Sequence, residues 1–149
     1  MIITNKDKIK SFVEDFNENN IQQSGYDLTI GADYELQNKV EAHVVHGEKF
    51  VVPPKSFLKI YTKERINLPD NVSAMLTLRS KYSRNAIFMN SAKINPGFKG
   101  KILLELFSSE YSTNLYLCPG EDKLVHVTFF EHEHCLPYDG IYQNQDKQI

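Results

Sequence analysis

The chain has little from which to build cross-links, metal cages or membrane spans. Its 149 residues include two cysteines, Cys118 and Cys135, which lie 17 residues apart. That pair makes no disulfide framework, so a reducing cytoplasm is the expected setting. Zinc-activated water chemistry needs a His or Cys ligand, a nearby Glu and a later P-C-x-x-C pair. His46, Gly47 and Glu48 offer the first half, but no C-x-x-C follows, and no zinc is expected. In the EHEHC run at residues 131–135, His132 and His134 would share one face of a strand, which gives two ligands and no cage. No apolar run approaches the ~20 residues of a membrane helix, and the N-terminal MIITNKDKIKSF lacks the apolar core and cleavage site of a secretory signal. A membrane is therefore not an expected partner. Phosphate cradles of the G-x-x-x-x-G-K kind, dinucleotide fingerprints and a G-x-S-x-G elbow are all missing.

What is present is an ordinary globular composition, 41% hydrophobic and 24% charged with a formal net charge of -2. The length suits one domain over residues 1–149 that buries roughly two thirds of its unfolded surface. Oligomerisation is not needed for a core. One helix is expected over residues 5–16, where Ile9, Phe12, Val13 and Phe16 recur at helical spacing and Asn5 stands at the cap. Tyr26, Leu28 and Ile30 alternate with polar residues as a half-buried strand does. Short strands are expected at 34–36, 42–45, 50–52 and 57–62, with breaks at HGEK (46–49) and PPKS (53–56), and a strong strand at 124–130. Many short strands between turns argue an all-β barrel or jelly roll with no internal repeat. The polar, Gln-rich tail from about 139 to 149 is expected to be mobile when nothing is bound.

Charge is distributed unevenly. From residue 79 to residue 104 the chain carries six cations, Arg79, Lys81, Arg84, Lys93, Lys99 and Lys101, and no acid. This is a local field for anions. It runs into Glu105, a lone carboxylate inside the apolar run ILLELF at 102–107. A carboxyl group withdrawn from water has a raised pKa and is suited to take and return a proton near neutral pH. The same residues also fit a solvated basic loop followed by an edge strand whose Glu points at water.

The motifs at these positions resemble those of the deoxycytidine triphosphate deaminases, members of the trimeric dUTPase superfamily. RSKYSR at 79–84 is similar to their RSS-x-x-R, INPGFKG at 94–100 to their I-D-P-G-[WF]-x-G, and Leu104 with Glu105 falls at their L-E pair. Supporting matches are SGYDLTIG at 24–31, TKERINLP at 62–69, LCPG at 117–120 and YQNQ at 142–145, which is similar to a K-Y-x-x-Q ending that folds over bound nucleotide. Asp27 in the first of these reads as structural.

The resemblance implies a dUTPase-like distorted jelly roll with one short N-terminal helix and a flexible C-terminal tail. It implies hydrolytic deamination of dCTP to dUTP and ammonia, in which water attacks C4 of cytosine while N3 gains a proton. Glu105 would shuttle the proton. Ser80 and a backbone carbonyl at Ser91 would hold the water, and Arg84 would orient the Glu. Arg79 and Lys93 would face the triphosphate and its magnesium ion, which is held through the phosphates, and Lys81, Asn95, Tyr142 and Gln145 would complete the substrate site. Homotrimers with sites at subunit boundaries are implied, so that Arg79 serves a neighbour.

Four departures bear on this reading. Lys81 stands where the family has a second Ser, Leu78 where Gly is usual, and Ile141 where a Lys precedes the Tyr. The dUTPases use an Asp at the position of Asn95 to activate water for splitting dUTP to dUMP and pyrophosphate, and an amide cannot accept that proton. Asn95 therefore argues against a dUTP diphosphatase or a bifunctional enzyme, which are the alternative enzyme readings. A nucleotide-sensing regulatory protein and a single-stranded nucleic-acid groove lined by Tyr82, Phe88 and Phe98 are the alternatives from other classes.

Overall fold

The computed structural model describes residues 1–38, 41–46, 48–90 and 92–146. In chain order its elements are α1 (Lys6–Phe12), β1 (Val13–Glu14), a 3-10 turn (Glu18–Asn20), β2 (Ile21–Gln22), β3 (Gly25–Asn38), β4 (Glu41–His46), β5 (Phe50–Val52) and β6 (Ser56–Asn67). There follow β7 (Val72–Leu78), α2 (Ser80–Ser83), β8 (Ile87–Met89), β9 (Ala92–Ile94), β10 (Lys99–Ser108), β11 (Leu115–Leu117) and β12 (Lys123–Glu131). The expectation of an all-β chain with one short N-terminal helix is met, with α2 an additional single turn.

The main sheet runs β8-β10-β6-β3-β12-β7-β9, and β5 with β11 forms a separate pair. Its two ends, β8 and β9, are consecutive in sequence and separated by residues 90–91. A path whose ends lie that close together must curl, which gives the barrel-like form. The inner face carries Tyr26, Leu28 and Ile30 from β3, Leu58 and Ile60 from β6, Leu76 from β7, Leu104 and Leu106 from β10, and Val125, Val127 and Phe129 from β12, all buried. Each such side chain contributes about 1.5–3 kcal/mol relative to exposure.

Two local findings differ from the sequence expectations. Asn5 does cap α1, its side chain accepting from the Lys8 amide at 3.0 Å, but the helix ends at Phe12 instead of residue 16. Val13 is claimed by β6, where it pairs with Ile66, and Phe16 packs on Tyr26 with ring centroids 5.2 Å apart without being helical. Strands expected separately around residues 26–30 and 34–36 are one strand, β3, whose pairing with β6 shifts register between Ile30 and Tyr34. The break expected at 46–49 centres on Gly47, which lies outside the described residues.

Near these irregular stretches the structure buries an acid. Glu64 is 1% exposed, and its carboxylate accepts from the Thr29 amide at 2.9 and 3.1 Å and from the Tyr26 hydroxyl at 3.2 Å. Burial pushes its carboxyl above the ordinary value despite these donors. Thr62 donates to the Glu64 carbonyl at 2.8 Å and accepts from the Ile102 amide at 3.0 Å, next to the register shift between β6 and β10. Polar groups that the interrupted ladders would strand are thus satisfied by the TKE segment.

The tail lies against the start of β10 through residue 146. Tyr138 meets Phe98 edge to face at 5.7 Å. The Gln143 side chain accepts from the Lys99 amide at 2.7 Å and donates to the Gly97 carbonyl at 2.9 Å, while Gln145 forms a parallel bridge with Gly100. Asp146 closes the strap with an ion pair to Arg65. Its side chains and backbone complete groups that the start of β10 leaves open, which is why a polar segment is held. Among the described residues, no helix is long and apolar enough to cross a membrane.

Candidate functional site

Two glycines shape the INPGFKG turn. Gly97 has φ 81°, and a Cβ there would come within 2.6 Å of Pro137. Gly100 has φ 144°, and its Cβ would fall 2.7 Å from both the backbone N and O of Gln145. The motif therefore needs glycine where the tail crosses it. Between these contacts and β10 lies a cavity of about 400 Å³ whose wall includes Lys93, Asn95, Glu105, Tyr142 and Gln145. Five of the expected site residues are brought together here, with Tyr138 added by the structure.

Glu105 sits on the outer face of β10. Leu104 and Leu106 turn into the core, and the strand alternation turns Glu105 to solvent, opposite Lys59 of β6. Its carboxylate has no hydrogen bond or ion pair among the described residues. The expectation of a buried acid beside an arginine is not met within one chain: Glu105 is exposed and no arginine lines its cavity, although Ile94, Phe98, Ile102 and Leu103 do. Phe107 continues the same outer row, and Phe88 of β8 lies directly across from it; they are 47% and 62% exposed.

The RSKYSR segment builds a different wall. Arg79 is extended at φ -65°, ψ 141°, and its carbonyl accepts from the Tyr82 amide at 3.0 Å to start α2. Tyr82 is buried and anchors the turn, so Ser80, Lys81 and Arg84 are left exposed. Arg79, Ser80 and Lys81 line a second cavity of about 280 Å³ together with Asp27 and His126. The Lys81 ammonium lies 5.1 Å from the Tyr82 ring centroid. Arg84 caps the C-terminus of α2 and lines neither cavity. Ser91 lies outside the described residues.

Apart from Arg84 and Ser91, the candidate residues thus fall into two groups on one chain. Glu105, Lys93, Asn95, Tyr142 and Gln145 share one cavity, and Arg79, Ser80 and Lys81 share the other. A further cavity, about 870 Å³ beside α1 and Pro137, contains none of them. Its charged lining is Asp70, Asp139 and Lys99, two acids to one base, which does not suit a polyanionic ligand. Among the described residues no group of three His, Cys, Asp or Glu could hold a metal ion. His126 and Tyr138 were not singled out from the sequence, because nothing local marks them; Asp27 carried a signal only through its SGYDLTIG setting.

A curled, mainly antiparallel sheet with a basic cavity and a separate carboxylate cavity defines a protein of the dUTPase-like fold. Residues 3–132 match the dCTP deaminase-like family model, and the chain belongs to that family. It is 37% identical over 134 residues to a dCTP deaminase of Thermococcus sibiricus, covering 88% of this chain and 83% of that protein. A "dCTP deaminase, dUMP-forming" of Persephonella marina is 32% identical over 143 residues, covering 84% and 78%. The crystal structure of 2'-deoxycytidine 5'-triphosphate deaminase from Agrobacterium tumefaciens superposes with a TM-score of 0.73 at 18% identity. That match takes in 86% of this chain and 47% of the Agrobacterium chain, about half its length. A Staphylococcus bacteriophage 80alpha dUTPase variant superposes with a TM-score of 0.52 at 14% identity, covering 84% and 87%. The last two comparisons speak to the fold.

Proposed function

We propose that this protein is a dCTP deaminase, a hydrolase acting on the exocyclic C–N bond of cytosine. Water adds to C4, N3 takes up a proton, and the amine leaves as ammonia to give dUTP. Glu105 takes the proton from the water and returns one to the departing nitrogen. The observation that carries this reading is the gathering of Glu105 with Lys93, Asn95, Tyr142 and Gln145 around one cavity, in a chain of this family.

The site is completed by a second copy of the chain. Ser80 and Arg84 of one subunit meet Glu105 of its neighbour, holding the water and orienting the carboxylate, and burial in that boundary takes the acid out of the solvent it faces alone. Support comes from the separation of the two cavities and from the exposed Phe88–Phe107 pair beside Glu105, an apolar patch of the kind that marks an interface. The assembly proposed is a homotrimer.

Arg79 and Lys81 take the phosphate chain. The one carboxylate lining that cavity, Asp27, is already held by Arg79 and His126. A magnesium ion fits there as part of the substrate, ligated by phosphate oxygens and neutralising their charge. No step is assigned to zinc, since the sequence has no C-x-x-C pair to hold it. The cytoplasm is the proposed location; Cys118 and Cys135 are both free thiols.

A bifunctional reading draws on the dUMP-forming relative from Persephonella marina. Asn95 speaks against it, because its amide cannot take a proton from a water attacking phosphorus. Incubation with dCTP and, separately, dUTP in the presence of magnesium decides. Ammonia from dCTP that disappears in Glu105→Gln supports the proposal. Pyrophosphate from dUTP, or dUMP formed directly from dCTP, supports the bifunctional enzyme. Binding with no product points to a nucleotide sensor.

A further inference from the structure

Asp27 and His126 have no role in the chemistry above, yet they share the cavity of Arg79, Ser80 and Lys81. His126 stands directly across from Asp27 in the β3–β12 pairing, with Thr77 of β7 on its other side. The Asp27 side chain is only 5% exposed and holds two partners. Its Oδ1 lies 3.1 Å from Nδ1 of His126, and its Oδ2 lies 3.4 Å from Nε of Arg79. An ionised carboxylate only accepts, so His126 donates to it from Nδ1 and Arg79 meets it as an ion pair. On its other side, the Arg79 guanidinium donates from Nη1 to the Lys123 carbonyl at 3.1 Å. A hydrogen bond on one side and an ion pair on the other restrict the planar group and leave other N–H bonds for a ligand. Gly25 makes room for this arrangement: a Cβ there would lie 2.1 Å from the Val127 carbonyl oxygen and 2.6 Å from Nε2 of His126.

We infer that Asp27 is a positioning residue for Arg79 in binding the nucleotide's phosphate chain, with His126 steadying the Asp27 carboxylate from the opposite side. The inference rests on Arg79 meeting phosphate, as proposed above. Its sign separates it from a simpler role. A carboxylate that is only a charge near an anion site repels phosphate, so removing it tightens binding. A carboxylate that aims the guanidinium does the reverse, because an unclamped arginine must be ordered by the ligand.

The test is calorimetric titration of the intact assembled protein with inorganic tripolyphosphate, together with dCTP kinetics. Asp27→Asn and Arg79→Lys are each expected to weaken tripolyphosphate about ten-fold, the loss of one charge-assisted contact. KM for dCTP should rise in parallel while kcat stays within about two-fold. In the double variant, Asp27→Asn should add nothing to Arg79→Lys, since it acts through that side chain. Unchanged or tighter binding by Asp27→Asn, beside weakened Arg79→Lys, overturns the inference and leaves the phosphate role of Arg79 standing. If Arg79→Lys binds tripolyphosphate like the parent protein, or the parent binds none, the phosphate reading of this cavity fails and the inference with it. Should Asp27→Asn not fold by thermal melt, His126→Ala carries the test: a several-fold rise in KM with kcat kept supports the positioning, and an unchanged KM overturns it.

Discussion

Phe107 stands directly opposite Phe88 across the β8–β10 pair, two residues along from Glu105 on the same outer face. Two large apolar rings side by side in solvent are unfavourable unless covered. Phe107→Asp is expected to reduce the assembly to single chains in light scattering and to remove ammonia release. Because the side chain is exposed in the isolated chain, far-ultraviolet circular dichroism should be unchanged. A variant that keeps its assembly state and its activity would show that this face is not the contact between copies.

If subunits share a site, two dead proteins can repair one another. Glu105→Gln and Ser80→Ala should each lower kcat by at least ~100-fold, in line with loss of a proton shuttle or of its water. Mixed during refolding, they should form some boundaries with both native residues, restoring about a quarter of the parent activity. Mixtures no more active than the separate variants would place both residues within one chain's site.

Gly100 and the tail offer a third test. A Cβ at Gly100 would strike the Gln145 backbone, and its φ of 144° is a conformation that other residues rarely adopt. Gly100→Ala should therefore loosen residues 138–146, speed cleavage of the C-terminus by a nonspecific protease, and raise KM for dCTP by displacing Tyr142 and Gln145 from the Glu105 cavity. The strain amounts to about 1–2 kcal/mol. Gln145→Ala, which leaves β10 untouched, should raise KM without a change in melting temperature. Protection of the tail in Gly100→Ala equal to that of the parent would sink this account.

Glu64 predicts a pH dependence of stability. Burial raises its folded pKa above the ordinary 4.5, so its favourable contribution is full below about that value and is lost as pH climbs through the folded pKa. Glu64→Gln removes the titration and keeps an oxygen acceptor for Thr29 and Tyr26. Urea unfolding of both proteins from pH 4.5 to 8 should show the variant gaining on the parent as pH rises, whatever the fixed offset between them. A difference that does not change with pH would falsify the assignment.

Much of the framework could be read from local pattern. The cap at Asn5 follows from its side-chain chemistry, and the burial of Ile9, Phe12, Tyr26, Leu28 and Ile30 from periods of 3.6 and 2. What escaped were features whose partners lie far off in sequence. Val13 leaves its helix because Ile66 competes for it, and Gln143 and Gln145 are held by backbone groups at Gly97, Lys99, Gly100 and Lys101. The residue types of the candidate site were legible as chemistry, a cation-rich stretch ending in a carboxylate. Their distribution over two cavities was not, because it depends on how the sheet curls. Nothing local to Glu105 shows whether the side chains turned outward beside it will meet water or another subunit.

The β3–β12 ladder joins residues as far apart as Asp27 and His126, 99 positions along the chain, whereas Thr62 reaches Ile102 over 40. Loops of the longer kind close late, so the hairpins around Glu105 should form while the ends of the molecule are still searching for each other. A refolding chain would then acquire its carboxylate wall first and its grip on anions last. Tripolyphosphate added to such a reaction should speed no early phase and should slow unfolding of the finished molecule, which makes the arginine side of the protein its timekeeper.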